Sequence, residues 1–367
     1  MNTSMSANRA TGRAMVLAAL AAFALSGCAT AEPTAGPTDA APEPNTAVTL
    51  IVHNSFPNEE FAAAASAATG YDVTVVSAGD GGELSAQLVL TKGAPVADVF
   101  FGIDNVFAAR LIDNDVVESF TPAQPLSPRI ATLAAQLGSA GGGFPMVPID
   151  LGATCLNIDP QWFADRGVPE PVTYDDLADE QYAGLTVLLD PTMSSTGASF
   201  LIGTVAAFGE EGAAEYWQRL EANGVRLEQG WSDAYYGQFT QGGAEGTFPI
   251  VMSYSSSPAW TLTDDGSAST TTALLATCST QVEYAGLVKG AANPEGAAAV
   301  LEYMLSRDFQ DTIADSMYMY PADEDAYVPA QWQQFAPLPE APHDLTPAQI
   351  AAGLDDWLKA WSTATGW

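Results

Sequence analysis

Two short runs gather the side chains best suited to holding a small flat molecule. Gly230-Trp231-Ser232-Asp233-Ala234-Tyr235-Tyr236 and Ser253-Tyr254-Ser255-Ser256-Ser257-Pro258-Ala259-Trp260 each set aromatic rings beside small polar residues. A core strand would surround such rings with Val, Ile and Leu. Here the neighbours are Ser, Asp and Gly, in what read as Gly- or Pro-punctuated loops. Flat apolar faces next to short hydrogen-bonding groups suit a small, partly polar ligand. For a cationic ligand each ring face adds about 0.5–2 kcal/mol. Packing explains one such run readily, and two together less well. A third stretch, Asp190-Pro191-Thr192-Met193-Ser194-Ser195-Thr196-Gly197, follows an apolar run and enters a helix. Its hydroxyls serve either as an ordinary cap or, with the free N–H groups of the helix start, as a seat for an anion.

The usual catalytic groups are scarce. His53 and His343 are the two histidines, and no nucleophile elbow, zinc-protease motif, phosphate loop or dinucleotide fingerprint occurs. Carboxylates are abundant enough that an acid–base pair stays open, and His53 could be drawn with a nearby Asp. A lone loop histidine is more commonly a hydrogen-bonding or stacking residue. No catalytic, metal or cofactor site is expected.

Strands alternating with helices must position these groups. Thr49-Leu50-Ile51-Val52 empties into His53-Asn54-Ser55-Phe56, and residues 71–76 into Ala78-Gly79-Asp80-Gly81-Gly82. Ala97-Asp98-Val99-Phe100-Phe101 runs into Gly102-Ile103-Asp104-Asn105. Between them Asn58 is a candidate N-cap and Gly70 a helix stop. Residues 185–189 form a strand before a helix over 198–208, and Thr173 caps a further helix. Residues 281–288 read as a strand, 294–307 as an amphipathic helix, and 346–361 as the closing helix. This order predicts a parallel α/β sheet, with ligands beyond the carboxyl ends of its strands.

The chain's 367 residues, 47% of them hydrophobic, suffice for a full core and exclude a disordered protein. Arg9 and Arg13, an apolar run over 14–25, and Leu25-Ser26-Gly27-Cys28 form an export signal too short to span a bilayer. The last four residues resemble a bacterial lipobox. This implies removal of residues 1–27 and a lipid on Cys28, holding the protein on the extracytoplasmic face of the cell membrane. Residues 28–47, rich in Pro, Ala and Thr, read as a flexible tether. The signal takes 2 of the 11 basic residues and none of the 44 acidic ones, so the remainder carries a net −35. That charge repels nucleic acid and steers cations inward, or simply aids solubility. Cys155 and Cys278 remain, either bridged in an oxidising compartment or left as two buried thiols.

Taken together, these stretches resemble the substrate-binding lipoproteins of bacterial ABC importers, and within them the thiamine-binding branch. The resemblance covers nearly all of residues 48–361. It rests on His53-Asn54-Ser55-Phe56, Asp80-Gly81, Gly102 through Asn105, Asp190 through Gly197, the two aromatic runs, and Met319-Tyr320-Pro321. It implies a periplasmic-binding-protein-like α/β fold of two lobes with the ligand in the cleft between them. Residues 48–150 begin lobe 1, 151–280 form lobe 2, and 281–367 return to lobe 1. Crossovers near 148–154 and 278–286 would bring Cys155 and Cys278 together, favouring a disulfide.

The resemblance also implies the cargo and partners: thiamine, thiamine monophosphate or thiamine diphosphate, passed by a monomeric receptor to an importer's permease and ATPase. Position by position, Asp80 and Gly81 would hydrogen-bond the aminopyrimidine, while Trp231, Tyr254 and Ser257 would line the thiazolium and phosphate side. Ser194 or Ser195 would meet a phosphate. His53, Asn54, Ser55, Asp104, Thr196, Tyr235, Trp260 and Tyr318 complete the expected ligand-binding set. His53, Asn54, Trp260 and Tyr318 differ from the family's residues, which are Tyr, Asp, Tyr and Trp. The same fold with a polyamine, ferric iron or another phosphate-containing solute is the alternative, and a cell-surface hydrolase is a more distant one.

Overall fold

The strands and helices that carry these loops are laid out in a computed structural model describing residues 45–139, 142–243 and 245–367. The signal segment, Cys28 and the tether up to residue 44 lie outside the described residues. The strands are β1 (Ala47–Val52), β2 (Asp72–Ser77), β3 (Val99–Asp104), β4 (Val117–Glu118), β5 (Val147–Ile158) and β6 (Thr186–Leu189). They continue as β7 (Arg226–Glu228), β8 (Ile250–Tyr254), β9 (Thr272–Ala273), β10 (Ser279–Val288) and β11 (Tyr320–Pro321). All eleven belong to one sheet, whose main path runs β2-β1-β3-β10-β5-β8-β6-β7.

The sheet is mixed rather than parallel. Strand β1 pairs parallel with β2 and β3, and β6 pairs parallel with β7 and β8, as strand–helix alternation requires. Between these two sets β10 lies antiparallel to both β3 and β5, and β5 antiparallel to β8. The cause is connectivity: β5 carries the chain from the first set to the second, and β10 brings it back alongside. The stretches read as crossovers are these two strands, paired from Val147↔Ala285 to Thr154↔Ser279. A disulfide joins Cys155 to Cys278 just past that ladder, across a sequence separation of 123.

The sheet is covered on both faces, so its central strands are buried along their length. In β1 the side chains alternate as a two-residue period demands. Val48, Leu50 and Val52 join a core with Phe61 and Val300, whose helices are Asn58–Thr69 and Pro294–Leu305. Ile51 faces the opposite core with Leu84, Phe100 and Ile103.

Several local readings change. Pro57, not Asn58, is the N-cap residue of the first helix, and the Asn58 amide donates to Ser77 Oγ at 2.9 Å. Thr173 donates to Asp176 instead of capping a helix, and the element there is the 3-10 turn Asp175–Ala178. The helix expected over 198–208 runs Ser195–Ala222, interrupted at Gly209. The closing helix, Pro347–Thr365, packs on it through Trp357, whose Nε1 donates to Glu210 at 3.0 Å. Both aromatic runs also open short helices, Trp231–Gln238 and Ser257–Trp260.

Candidate functional site

The carboxyl ends of β1, β2, β6, β7 and β8 deliver their loops to one cavity of about 240 Å³. Its walls include His53 and Ser55 after β1, Asp80 after β2, Ser195 after β6, and Trp231 with Tyr235 after β7. Tyr254, Ser257 and Trp260 come from the end of β8, and Tyr318 from the segment before β11. Ten of the fifteen residues expected to bind ligand thus meet at one place.

The rings form two groups. Trp231 stacks on Tyr235 with centroids 4.9 Å apart and planes 18° from parallel, and Tyr254 lies 6.3 Å away. A relay of hydroxyls fixes the indole: Trp231 Nε1 donates to Ser253 Oγ at 2.9 Å, and Ser253 Oγ meets Ser257 Oγ at 2.7 Å. The second group is Trp260 against Tyr318, edge to face at 4.9 Å. Trp260 is 53% exposed, which places a large aromatic surface where a ligand or a partner reaches it. Tyr318 holds a left-handed backbone conformation (φ 55), unusual for a bulky residue and characteristic of functional sites.

The polar groups are held as firmly. Asp80 Oδ1 accepts from Gly81 N at 2.8 Å, with Glu83 completing a capping box, and Oδ2 accepts from Trp231 N at 3.3 Å. One carboxylate therefore ties the loop after β2 to the aromatic wall. Gly82 makes a second tie: its N–H donates to Met193 O at 2.9 Å, and an added Cβ would sit 2.5 Å from Thr192 O. His53 rests on Gly102, whose φ of +95° and missing side chain make room for the imidazole. His53 Nδ1 accepts from Ser55 N at 3.2 Å, while Nε2 lies 4.0 Å from Glu283 Oε2 without a hydrogen-bond partner.

Behind the rings lies a row of buried acids. Glu283 on β10 is in register with Asp104 on β3 and with Asp150 on β5. Burial pushes the Asp104 carboxyl up to about 7, although the nearby Ser195 hydroxyl and the Phe107 and Val106 amides pull the other way. Burial raises Asp150 well above the ordinary carboxylate range, and the charge of Glu283 adds to it. Tyr254 is also raised, by burial and then by the charges of Glu283 and Asp80, so it stays a protonated donor.

Five expected residues are absent from the cavity wall. Asn54 is exposed and uses its backbone N–H on Gly79 O, while Gly81 is turned toward Ser195. Asp104 is fully buried, accepting from Val106 N and Phe107 N. Ser194 and Thr196 bond to each other at 2.9 Å, and Ser194 accepts from Gly197 N as the helix cap. Of that hydroxyl run, Ser195 alone reaches the cavity.

Conversely, Tyr236, Ser256, Glu283, Asp315, Ser316, Met317 and Met319 line the cavity outside the expected ligand-binding set. Tyr236 and Ser256 sit inside the two aromatic runs, and the methionines flank Tyr318. Glu283 had a signal of its own, a charge inside an otherwise buried strand.

A family model for bacterial extracellular solute-binding proteins matches residues 94–339. The chain belongs to that family. It is 26% identical over 295 residues to the thiamine-binding periplasmic protein of Salmonella typhimurium, covering 80% of this chain and 84% of that protein. Among solved structures it is similar to a periplasmic thiamin-binding protein, with a TM-score of 0.74 at 24% identity over 87% of this chain and 96% of the other. It is also similar to the fructose-6-phosphate-bound periplasmic binding protein AfuA of Actinobacillus pleuropneumoniae. There the TM-score is 0.68 at 16% identity, covering 87% of this chain and 98% of that one. These likenesses establish the two-lobed periplasmic-binding fold, and the family is one of extracytoplasmic solute receptors, not of enzymes. Among the described residues no helix is long and apolar enough to cross a membrane.

Proposed function

We propose that this solute-binding protein is the thiamine receptor of an ABC importer, capturing thiamine or its phosphates outside the membrane and handing them to a permease with its ATPase. One observation carries the reading: the Trp231–Tyr235 stack, Tyr254 and the Trp260–Tyr318 pair surround a cavity bordered by Asp80 and Glu283. Thiamine is a flat cation with an aminopyrimidine edge. Ring faces hold its two heterocycles, a carboxylate accepts from the exocyclic amine, and negative charge favours the thiazolium. Similarity to the thiamine-binding protein of Salmonella typhimurium supports the same cargo.

In this reading residues 48–150 and the return after 281 form one lobe and 151–280 the other, with β5 and β10 as the hinge. Asp80, on the first, meets Trp231, on the second, over the ligand. Cys28 carries the lipid anchor, the receptor acts as a monomer, and it catalyses no reaction.

Fluorescence titration tests the assignment, because Trp231 and Trp260 both line the cavity. Thiamine should change the emission saturably. Trp231→Ala should weaken binding by about 1–3 kcal/mol through lost stacking and burial. Unchanged affinity in that variant would remove Trp231 from the site.

A further inference from the structure

We propose that Glu283 sets the charge selectivity of this site, so that the cavity takes its ligand through positive charge and disfavours one bearing phosphate. The inference rests on the thiamine reading and names the unphosphorylated vitamin as the form carried.

The first support is the composition of the wall. Seventeen residues line the cavity; Asp80, Glu283 and Asp315 bring carboxylates, and none is Lys or Arg. Lys92, Arg219, Arg226, Lys289 and Arg307 are engaged elsewhere, on Asp115, Asp175, Glu228 and Asp311. The lining imidazole, His53, has its Nε2 4.0 Å from Glu283 Oε2. A phosphate would enter a space with carboxylates on its walls and no cation of the protein's own to meet it.

The second support is the placement of Glu283. It is 6% exposed yet borders the cavity, and Oε1 accepts from Gln281 Nε2 at 3.2 Å. On the strand to either side it faces a fully buried acid, Asp104 or Asp150, and neither Asp150 oxygen has a hydrogen-bond partner. A cation standing beside such a row of carboxyls is favoured by it. The cavity is where that cation enters.

The third support concerns the groups left to bind an anion. Gly81 N is taken by Asp80, Gly82 N by Met193 O, and Gly197 N by Ser194 Oγ. Ser195 Oγ, on the cavity wall and 4% exposed, already lies beside the buried Asp104 carboxyl. A hydroxyl at that place suits the hydroxyethyl arm of thiamine.

The test is calorimetric titration of wild type and Glu283→Gln with thiamine, thiamine monophosphate and thiamine diphosphate at fixed salt. Wild type should bind thiamine about tenfold or more tighter than the diphosphate, and Glu283→Gln should lose about tenfold for thiamine but little for the diphosphate, collapsing the ratio. Equal wild-type affinity for the three forms overturns the proposal, even if the variant fails to fold. So does a folded Glu283→Gln that weakens all three equally, since that marks a merely structural residue. If no thiamine form binds, the thiamine reading fails by itself, and spermidine and fructose 6-phosphate then decide charge selection. Binding of the amine alone keeps Glu283 as the selector; binding of the sugar phosphate, or of neither, overturns it.

Discussion

Burial, with the charge of Glu283 adding to it, moves Asp104 from 3.8 to about 7 against the Ser195 hydroxyl and the two amides that it accepts from. The sign of the consequence follows. Between those values the folded protein binds a proton that the unfolded chain releases, so stability is greatest at low pH and falls as pH rises toward about 7. The ceiling is about 4 kcal/mol, at about 1.4 kcal/mol per pH unit. Asp104→Asn keeps an oxygen for Val106 and Phe107, so denaturant unfolding of the variant at pH 5 and pH 8 should show a flatter dependence than wild type. An equal slope would show that Asp104 is ionised in the fold. At this scale the sequence was most legible where chemistry breaks local context, as with rings among serines or Asp80 ahead of two glycines. It was least legible where strand register does the work. Glu283, Asp104 and Asp150 are far apart in sequence, and only the ladder sets them in a row.

Among elements, local periodicity predicted most strands and helices, and the stop at Gly70 is there in left-handed form. What local signals could not supply was strand order. Alternation of strand and helix reads as parallel pairing, and the antiparallel β10 and β5 arise from the chain's return, a long-range fact. The hydroxyl run at 194–197 shows a related limit. Its composition suits a phosphate seat, yet the helix it opens uses Ser194 and Thr196 for its own capping. The close approach of the Gly81–Leu90 helix to Thr192 and Met193 is the element-level contact most open to test. Ala at position 82 would favour the helix, by up to about 1 kcal/mol, but its Cβ meets the Thr192 and Met193 carbonyls at 2.5 and 2.7 Å. Gly82→Ala should therefore push these elements apart and weaken thiamine binding by about 1–3 kcal/mol, the usual cost of overpacking. Calorimetry on the variant checks this. Undiminished affinity would mean that the contact has no part in the bound arrangement.

For the whole molecule, the match over residues 94–339 points outward, to a receptor working beyond the membrane. The fold was legible at this scale because the order of the loops along the chain resembles one family, even where single motifs are weak. A small flat ligand bearing positive charge is what the aromatic and acidic groups at these strand ends suit, and the proposal of thiamine came with the resemblance. The phosphorylation state was not legible, since that depends on which hydroxyls the fold consumes. The measurement that bears most directly on the central claim is calorimetric titration of residues 45–367 with thiamine. Saturable one-to-one binding, accompanied by a change in tryptophan emission, is the predicted result. Neither heat nor fluorescence change with thiamine or its phosphates, alongside saturable binding of spermidine, ferric iron or fructose 6-phosphate, would contradict it.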